Sequence, residues 1–158
     1  MKVFGLNMLL AVTWVAFSGS VSLSNLVVGF VLGYGVIWVI QPMLGESAYA
    51  RRGWAWVKLA LYFIWDLVTS SVDVAVDVLT PRHRSRPAIL ELPLDVKTDV
   101  GILLVTNLIS LTPGTLSLEV SPDRRTLRFH AMFADEPERL KAGLKRGIER
   151  LVIDAVER

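Results

Sequence analysis

Two apolar runs lie close together at the start of the sequence, and they constrain the fold more than any other feature. Val3–Phe17 is apolar except for Asn7 and Thr13, and Leu26–Ile40 follows after a short uncharged segment. Each run is shorter than the roughly 20 residues of a full span, but small flanking residues bring both close to membrane thickness. A signal peptide would begin in a similar way. Because the second run follows at once, we predict a retained transmembrane helical hairpin over residues 1–41.

The second run contains a pair of glycines one helical turn apart, Gly29 and Gly33. Small residues at this spacing allow another helix to approach closely in lipid. The alternative is that glycine is simply frequent in membrane helices. We favour the packing interpretation and expect the first run to be the neighbour.

Basic and aromatic residues predict the orientation of this hairpin. Gln41–Pro42 is expected to end the second helix, and Arg51 and Arg52 follow it beside Trp54 and Trp56. Basic residues next to tryptophans are typical of the cytoplasmic membrane interface. We therefore predict a multi-pass protein of the cell (cytoplasmic) membrane, with its N-terminus and its C-terminal domain in the cytoplasm.

A third helix is predicted over Trp54–Leu79, which is long enough to span a membrane. Its polar residues recur at helical spacing and form one stripe: Lys58, Tyr62, Asp66, Thr69, Asp73 and Asp77. Asp66 at mid-bilayer would cost at least about 2.5 kcal/mol, and a third span would place Arg82, Arg84 and Arg86 outside. The sequence therefore favours a long amphipathic interfacial helix. The alternative is a true third span with aspartates that face partner subunits.

The charged residues of this stripe are the candidate functional residues of the chain: Lys58, Asp66, Asp73 and Asp77. Intramembrane carboxylates can line a cation or proton path. The other interpretation is a solvated or partner-facing polar edge. We favour the polar edge, because the stripe runs the full length of the helix, as in any amphipathic helix.

Residues 42–87 are completed by a basic connector that begins after Thr80–Pro81 and contains Arg82, His83, Arg84 and Arg86. Basic residues close to an anionic leaflet contribute about 1 kcal/mol each to binding. The connector is therefore predicted to face phospholipid.

Residues 88–158 are predicted to form a small cytoplasmic β-α-β-β-α domain. Alternating apolar residues indicate three strands, and longer apolar periodicity indicates two helices: Ala88–Leu94, Asp99–Leu111, Thr115–Val120, Thr126–Phe133 and a helix that begins at Asp135–Glu138. The order suggests a small antiparallel sheet with both helices on one face, like a ferredoxin-like fold that lacks its last strand. The overall class is a membrane protein, α followed by α+β.

A corner at Thr112, Pro113 and Gly114, followed by Thr115, is predicted to join a helix to a strand. Proline disfavours helical geometry at the residue before it, and glycine tolerates positive φ. After the corner, Leu116, Leu118 and Val120 are predicted to share one face of the strand. The preceding helix, Asp99–Leu111, is apolar most of the way round, so we expect its outer side to be buried against lipid headgroups, the third helix or another subunit.

Composition excludes several classes of function. The chain of 158 residues is 53% hydrophobic and 20% charged, with a mean hydropathy of +0.48, which favours a chain partly in lipid. There is no cysteine, no phosphate-binding glycine motif and no metal-binding histidine spacing. The C-terminal half has no basic excess for nucleic acid. We therefore expect no enzyme activity, no cofactor, no metal and no nucleic-acid partner.

Two segments carry a resemblance to a known family. Asn107–Val120 reads Asn-Leu-Ile-Ser-Leu-Thr-Pro-Gly-Thr-Leu-Ser-Leu-Glu-Val, and Leu127–Phe133 reads Leu-Arg-Phe-His-Ala-Met-Phe. Both resemble the E subunits of the Mrp-type (Mnh/Pha) Na⁺/H⁺ antiporters. The layout of hairpin, tryptophan-rich helix, Pro-Arg connector and Thr-Pro-Gly-Thr corner agrees over essentially the whole chain.

The resemblance implies a non-catalytic accessory subunit of a multi-subunit antiporter in the cytoplasmic membrane. Such a complex exchanges cytoplasmic Na⁺ for external H⁺ and supports growth at high pH or high salt. The family assigns ion translocation mainly to the large subunits, while the E subunit is needed for assembly or full activity. The shared motif is a corner of the fold, so it transfers no functional residues. The alternatives are a stand-alone membrane-anchored protein-interaction domain and a membrane-bound enzyme, for which the sequence shows no substrate pocket.

Overall fold

The computed structural model describes residues 2–44, 49–81 and 85–157. These residues form two compact units, Met1–Trp54 and Ala55–Arg158. The expected basic residues Arg82, His83 and Arg84 lie outside the described residues.

The first unit contains two long helices that pack against each other, α1 (Lys2–Ser18) and α2 (Leu23–Leu44). Asn25 ties the connecting turn together, because its side-chain Nδ2 donates to the backbone oxygen of Ser20 at 2.9 Å and to its hydroxyl at 2.6 Å. Helix α2 continues through Gln41–Pro42, so the expectation that it ends there was wrong. The proline falls in the last turn, where the loss of one backbone hydrogen bond leaves the preceding turns intact.

Gly29 and Gly33 are buried where α1 meets α2. A Cβ on Gly29 would lie 2.8 Å from Trp14 Cβ and 2.9 Å from the backbone oxygen of Ala11, and a Cβ on Gly33 would meet Asn7 Oδ1. The small residues therefore allow the close approach that the sequence predicted, and the neighbour is the first helix.

The third helix, α3 (Tyr49–Leu79), is a single element of 31 residues that begins at Tyr49, before its predicted start at Trp54. Ala55 and Leu59 are buried in the core of the second unit. Along the opposite side, apolar side chains are exposed at helical spacing, including Val57, Leu61, Trp65, Val68 and Val72. The helix is amphipathic, and the hydrogen bonds of Asp66 and Asp77 to residues 85–157 lie on the side that packs against those residues.

The second unit is completed by an α+β domain with the predicted order of elements. Its strands are β1 (Ala88–Pro93), β2 (Thr115–Val120) and β3 (Thr126–Ala131), which form an antiparallel sheet in the order β1-β3-β2. Helix α4 (Asp99–Leu111) has the predicted bounds. The C-terminal helix consists of α5 (Pro137–Leu144), a π-helical turn (Lys145–Glu149) and α6 (Arg150–Val156).

The core lies between one face of the sheet and the helices. The inner face of β3 contributes Leu127, Phe129 and Ala131. The other buried apolar residues of the domain come from β1, from the β1–α4 and β3–α5 loops and from the helices: Leu92, Val96, Ile102, Val105, Ile109, Ala134, Ile148, Val152 and Ala155. The outer face of the sheet carries a row of ion pairs, in which Arg128 lies 3.7 Å from Glu91 and 3.3 Å from Glu119.

Strand β2 does not alternate as the sequence indicated. A β-bulge between Ser117 and Glu119 shifts its register against β3. Directly paired residues share a face of the sheet, so Ser117 lies with Phe129 on the inner face, whereas Leu116 lies with His130 on the outer face. The expectation that Leu116, Leu118 and Val120 share one face was wrong, because the extra residue of a bulge reverses the alternation.

Within the described residues of the second unit, the outer side of α4 is uncovered. Val100, Leu103 and Leu111 are 57%, 60% and 61% exposed, and Asn107 lies on the same stripe. Helix α3 does not cover these residues, so of the three coverings expected from the sequence only lipid and another subunit remain.

Candidate functional site

The polar stripe of α3 contains residues that are hydrogen-bonded to residues 85–157 and residues whose side chains are exposed. The carboxylate of Asp66 accepts a hydrogen bond at 3.1 Å from the hydroxyl of Thr112. Asp77 is 2% exposed, and its Oδ1 accepts from the backbone N–H of Ser85 at 3.1 Å. Lys58 and Asp73 are exposed. Two of the four candidate residues are therefore engaged with residues 85–157.

Tyr62 gives α3 a further contact with the domain. Its ring edge and hydroxyl lie where a Cβ on Gly147 would be, with the virtual Cβ 2.5 Å from Tyr62 Cζ. Gly147 belongs to the π-helical turn and is buried. Because Gly147 has no side chain, the ring of Tyr62 can occupy the space next to it.

The corner has the geometry that its residues predict. Thr112 is extended, with φ −78° and ψ 122°, and its N–H donates to the carbonyl oxygen of Leu108 at 3.2 Å. Gly114 has φ +87°, which favours glycine. Thr115 closes the turn, because its N–H donates to Thr112 O at 3.2 Å and its hydroxyl to Ile109 O at 2.6 Å. The four predicted corner residues therefore form a hydrogen-bonded end to α4.

A groove of about 620 Å³ lies between α3 and the beginning of α5. Four carboxylates and one guanidinium line it: Asp66, Asp73, Asp135, Glu136 and Arg139. Two of these carboxylates are already paired, because Arg86 lies 3.2 Å from Asp135 and Arg139 lies 3.4 Å from Glu136. Among residues 2–44, 49–81 and 85–157, no group of three His, Asp or Glu residues could hold a metal ion.

Two glutamates of the C-terminal helix bind the loop between β1 and α4, a feature that sequence reasoning missed. Oε1 of Glu149 accepts from the backbone N–H groups of Asp95 at 2.6 Å and Val96 at 3.2 Å. Oε1 of Glu157 accepts from those of Lys97 at 2.7 Å and Thr98 at 2.8 Å. Four consecutive backbone donors therefore share two carboxylates, an arrangement that we name the carboxylate clamp.

Electrostatics stabilise the clamp. Glu149 is 1% exposed, and Lys145 Nζ lies 2.9 Å from its Oε2 and 2.8 Å from Asp95 Oδ2. Burial lowers the pKa of Lys145, but hydrogen bonding to Asp95 and Glu149 outweighs it, so the pKa lies above its ordinary value. Burial raises the pKa of Glu157, yet the donors of Thr98 and Lys97 outweigh this effect and leave the pKa below its ordinary value.

These features define a class of protein: candidate membrane-spanning helices joined to a small α+β domain that leaves one helix face uncovered. By length and composition, Leu23–Ile40 and Arg51–Leu79 could each cross a membrane, while Val3–Ser18 is a shorter apolar helix. The family described as "MNHE: Na+/H+ ion antiporter subunit" matches residues 7–155. The chain belongs to this family.

Relatives and a solved complex agree with this assignment. Over 152 residues, which are 96% of both chains, the sequence is 34% identical to the Na(+)/H(+) antiporter E subunit of Alkalihalophilus pseudofirmus. It is 36% identical to the Na(+)/H(+) antiporter E1 subunit of Staphylococcus haemolyticus, again over 96% of both chains. A chain of the Mrp complex from Dietzia sp. DQ12-45-1b matches with a TM-score of 0.51 and 27% identity, covering 63% of this chain and 93% of that chain.

Proposed function

We propose that this chain is a non-catalytic accessory subunit of a multi-subunit Na⁺/H⁺ antiporter in the cytoplasmic membrane, and that it supports assembly and activity of the complex. The observation that carries the proposal is the family match over residues 7–155, together with relatives named as antiporter E subunits over 96% of both lengths. The uncovered face of α4 supports a role in assembly, because contiguous exposed apolar residues mark interaction sites.

In this proposal α1 and α2 cross the membrane, and α3 lies in its interface. Helix α3 packs along the α+β domain from Ala55, in the shared core, to Asp73, which lines a groove with Phe133 and Asp135. At 1.5 Å per residue this is about 27 Å of helix, most of the hydrocarbon thickness of about 30 Å. A spanning α3 would therefore take the charged α+β domain into the hydrocarbon. An interfacial α3 places its apolar stripe on lipid and leaves the domain in water.

The orientation follows from the basic residues near the helix ends. Arg51 and Arg52 precede the exposed Trp54 and Trp56, a composition typical of the cytoplasmic interface. We propose that 1–41 is the membrane hairpin, that 42–87 lies along the cytoplasmic surface and that 88–158 is the cytoplasmic domain. A C-terminal tag should then be cleaved in inverted membrane vesicles and protected in right-side-out vesicles. The opposite pattern would show that α3 is a third span.

The exposed stripe of α4 is the proposed contact with another antiporter subunit, and the exposed Lys58 and Asp73 are further interface candidates. Asp66 is proposed to join α3 to the α+β domain, since it accepts a hydrogen bond from Thr112, and Asp77 to join α3 to the connector, since it accepts one from Ser85. The polar stripe is therefore proposed as a contact edge and not as an ion path.

Co-purification tests this function. Affinity-tagged chain should be recovered from native membranes together with large hydrophobic partners, and recovery of the chain alone would support a stand-alone membrane-anchored interaction domain. Leu103→Ser, at a position 60% exposed on α4, should reduce recovery of the partners. The matched control is Leu116→Ser, 50% exposed on the outer face of the sheet. Equal recovery with both variants would contradict the assignment of α4.

A further inference from the structure

One side-chain contact joins the corner to α3, and it depends on a single proton. The hydroxyl of Thr112 lies 3.1 Å from Asp66 Oδ2 and 3.0 Å from the carbonyl oxygen of Leu108. A hydroxyl donates only one hydrogen bond. The carbonyl oxygen of Leu108 also accepts from the backbone N–H of Thr112 at 3.2 Å, and its two lone pairs can accept both donors. Asp66 therefore competes with this carbonyl for the hydroxyl proton, and its charge makes it the stronger acceptor.

The surroundings of Asp66 strengthen its hydrogen bond with Thr112. Thr112 is 7% exposed and Asp66 is partly buried, so water competes poorly for either group. Among the described residues no Lys or Arg forms an ion pair with Asp66, although Asp135 and Glu136 on the same groove each have one. A hydrogen bond to a charged acceptor is roughly twice as strong as a neutral one.

Thr112 is also the residue at which α4 ends and the turn into β2 begins. Its N–H completes the last turn of α4, and its carbonyl oxygen accepts from Thr115. A contact that fixes Thr112 therefore fixes the end of α4 and the start of β2 together. One turn before Asp66, Tyr62 also holds α3 in place, but through a contact with Gly147 of the π-helical turn.

We propose that Asp66 is a positioning residue, which acts as a hydrogen-bond acceptor for Thr112 and thereby sets the corner against α3. Its role depends on the acceptor oxygen and not on carriage of a cation or proton. The inference deepens the proposed function and rests on it only where antiport is measured; the contact itself is a property of this chain alone.

Substitutions can separate the acceptor from the charge. Asp66→Asn keeps an acceptor oxygen and removes the charge, whereas Asp66→Ala removes both. Thr112→Ser keeps the donor, and Thr112→Val removes it with little change in shape. Ser71→Ala is the control on the same helix, at an exposed position whose hydroxyl donates within α3 to the carbonyl oxygen of Leu67.

The first measurement is hydrogen exchange of the purified full-length chain, followed at the amides of Thr112 and Thr115. Asp66→Ala and Thr112→Val should each speed exchange about tenfold, the factor that corresponds to about 1.4 kcal/mol. Asp66→Asn should fall between wild type and Asp66→Ala, because its acceptor is neutral and the hydrogen bond is weaker. Thr112→Ser and Ser71→Ala should stay close to wild type. The double variant Asp66→Ala/Thr112→Val should be no worse than either single variant, because both remove the same hydrogen bond.

The second measurement is Na⁺-dependent proton movement in vesicles that contain the assembled complex. The same order is expected, with Asp66→Asn more active than Asp66→Ala. If Asp66→Asn is as inactive as Asp66→Ala while Thr112→Val is active, the charge matters and the inference is wrong. Additive exchange effects in the double variant would also overturn it. Failure of the chain to enter any antiporter complex would refute the proposed function. The hydrogen-exchange measurement would still decide whether Asp66 positions Thr112.

Discussion

Replacement of Gly29 by alanine should loosen the pair of α1 and α2. The added Cβ would lie 2.8 Å from Trp14 Cβ and 2.9 Å from the backbone oxygen of Ala11. Real Cβ atoms do not approach other atoms this closely, and a backbone oxygen cannot rotate away as a side chain does. The two helices must therefore separate, or one must shift along the other.

The expected magnitude follows from two opposing effects. Overpacking of a tight contact costs about 1–3 kcal/mol. Alanine in a helix gains about 0.5–1 kcal/mol over glycine. Gly35→Ala is the matched control on the same helix, because a Cβ there has no heavy atom within 4 Å. Gly35→Ala should show only the stability that alanine adds over glycine in a helix. The difference in stability between the two variants therefore isolates the overpacking cost of about 1–3 kcal/mol.

Unfolding in mixed detergent micelles measures this difference. The chain has no cysteine, so an introduced pair of cysteines can carry dyes without background labelling. One cysteine is placed in α1 and one in α2, at the helix ends that lie away from the connecting turn. Energy transfer between the dyes, followed as denaturing detergent is added, reports separation of the helices. Equal unfolding midpoints for Gly29→Ala and Gly35→Ala would refute the close approach of α1 to Gly29.

Two further predictions concern the α+β domain. Glu157→Gln should lower the thermal stability of the chain at pH 7, since the carboxylate of Glu157 binds two backbone donors of the β1–α4 loop. The folded pKa is below the ordinary value of 4.5, so this contribution is present above that pH and is lost as pH falls through the folded pKa. The difference in Tm between wild type and variant should therefore vanish in acid, and a difference that persists there would contradict the assignment. Gly147→Ala should displace the ring of Tyr62 from its position beside residue 147 and speed hydrogen exchange in α3 near Tyr62. Gly143→Ala, where a Cβ meets no atom within 4 Å, should leave exchange unchanged.

The sequence predicts the features of this fold that depend on local chemistry. The bounds of α4 follow from its apolar run and from the proline and glycine after it. The close packing at Gly29 and Gly33 follows from their spacing. In each case the residues that decide the structure are neighbours in the chain.

Features that depend on distant partners could not be predicted in the same way. The bulge in β2 depends on pairing with β3, whereas the alternation of Leu116 and Leu118 describes only an unpaired strand. The carboxylate clamp joins residues 53 to 60 positions apart, and Glu149 looks in sequence like any charged residue of a helix. Its place beside the buried Ile148 was the available signal, and it is a weak one. The contact of Asp66 with Thr112 spans 46 positions, although both residues were singled out separately.

The π-helical turn at Lys145–Glu149 determines which face of the C-terminal helix the residues after it occupy. A π turn holds one residue more than the α-helix it interrupts, and each residue of an α-helix advances the chain by about 100°. If Lys145–Glu149 formed ordinary α-helix instead, the extra residue would rotate everything after it by about 100°. Val152 and Ala155 would then leave the core, and Glu157 would turn away from the β1–α4 loop. The π turn between Leu144 and Arg150 therefore keeps the buried residues on both sides of it on one face of the C-terminal helix.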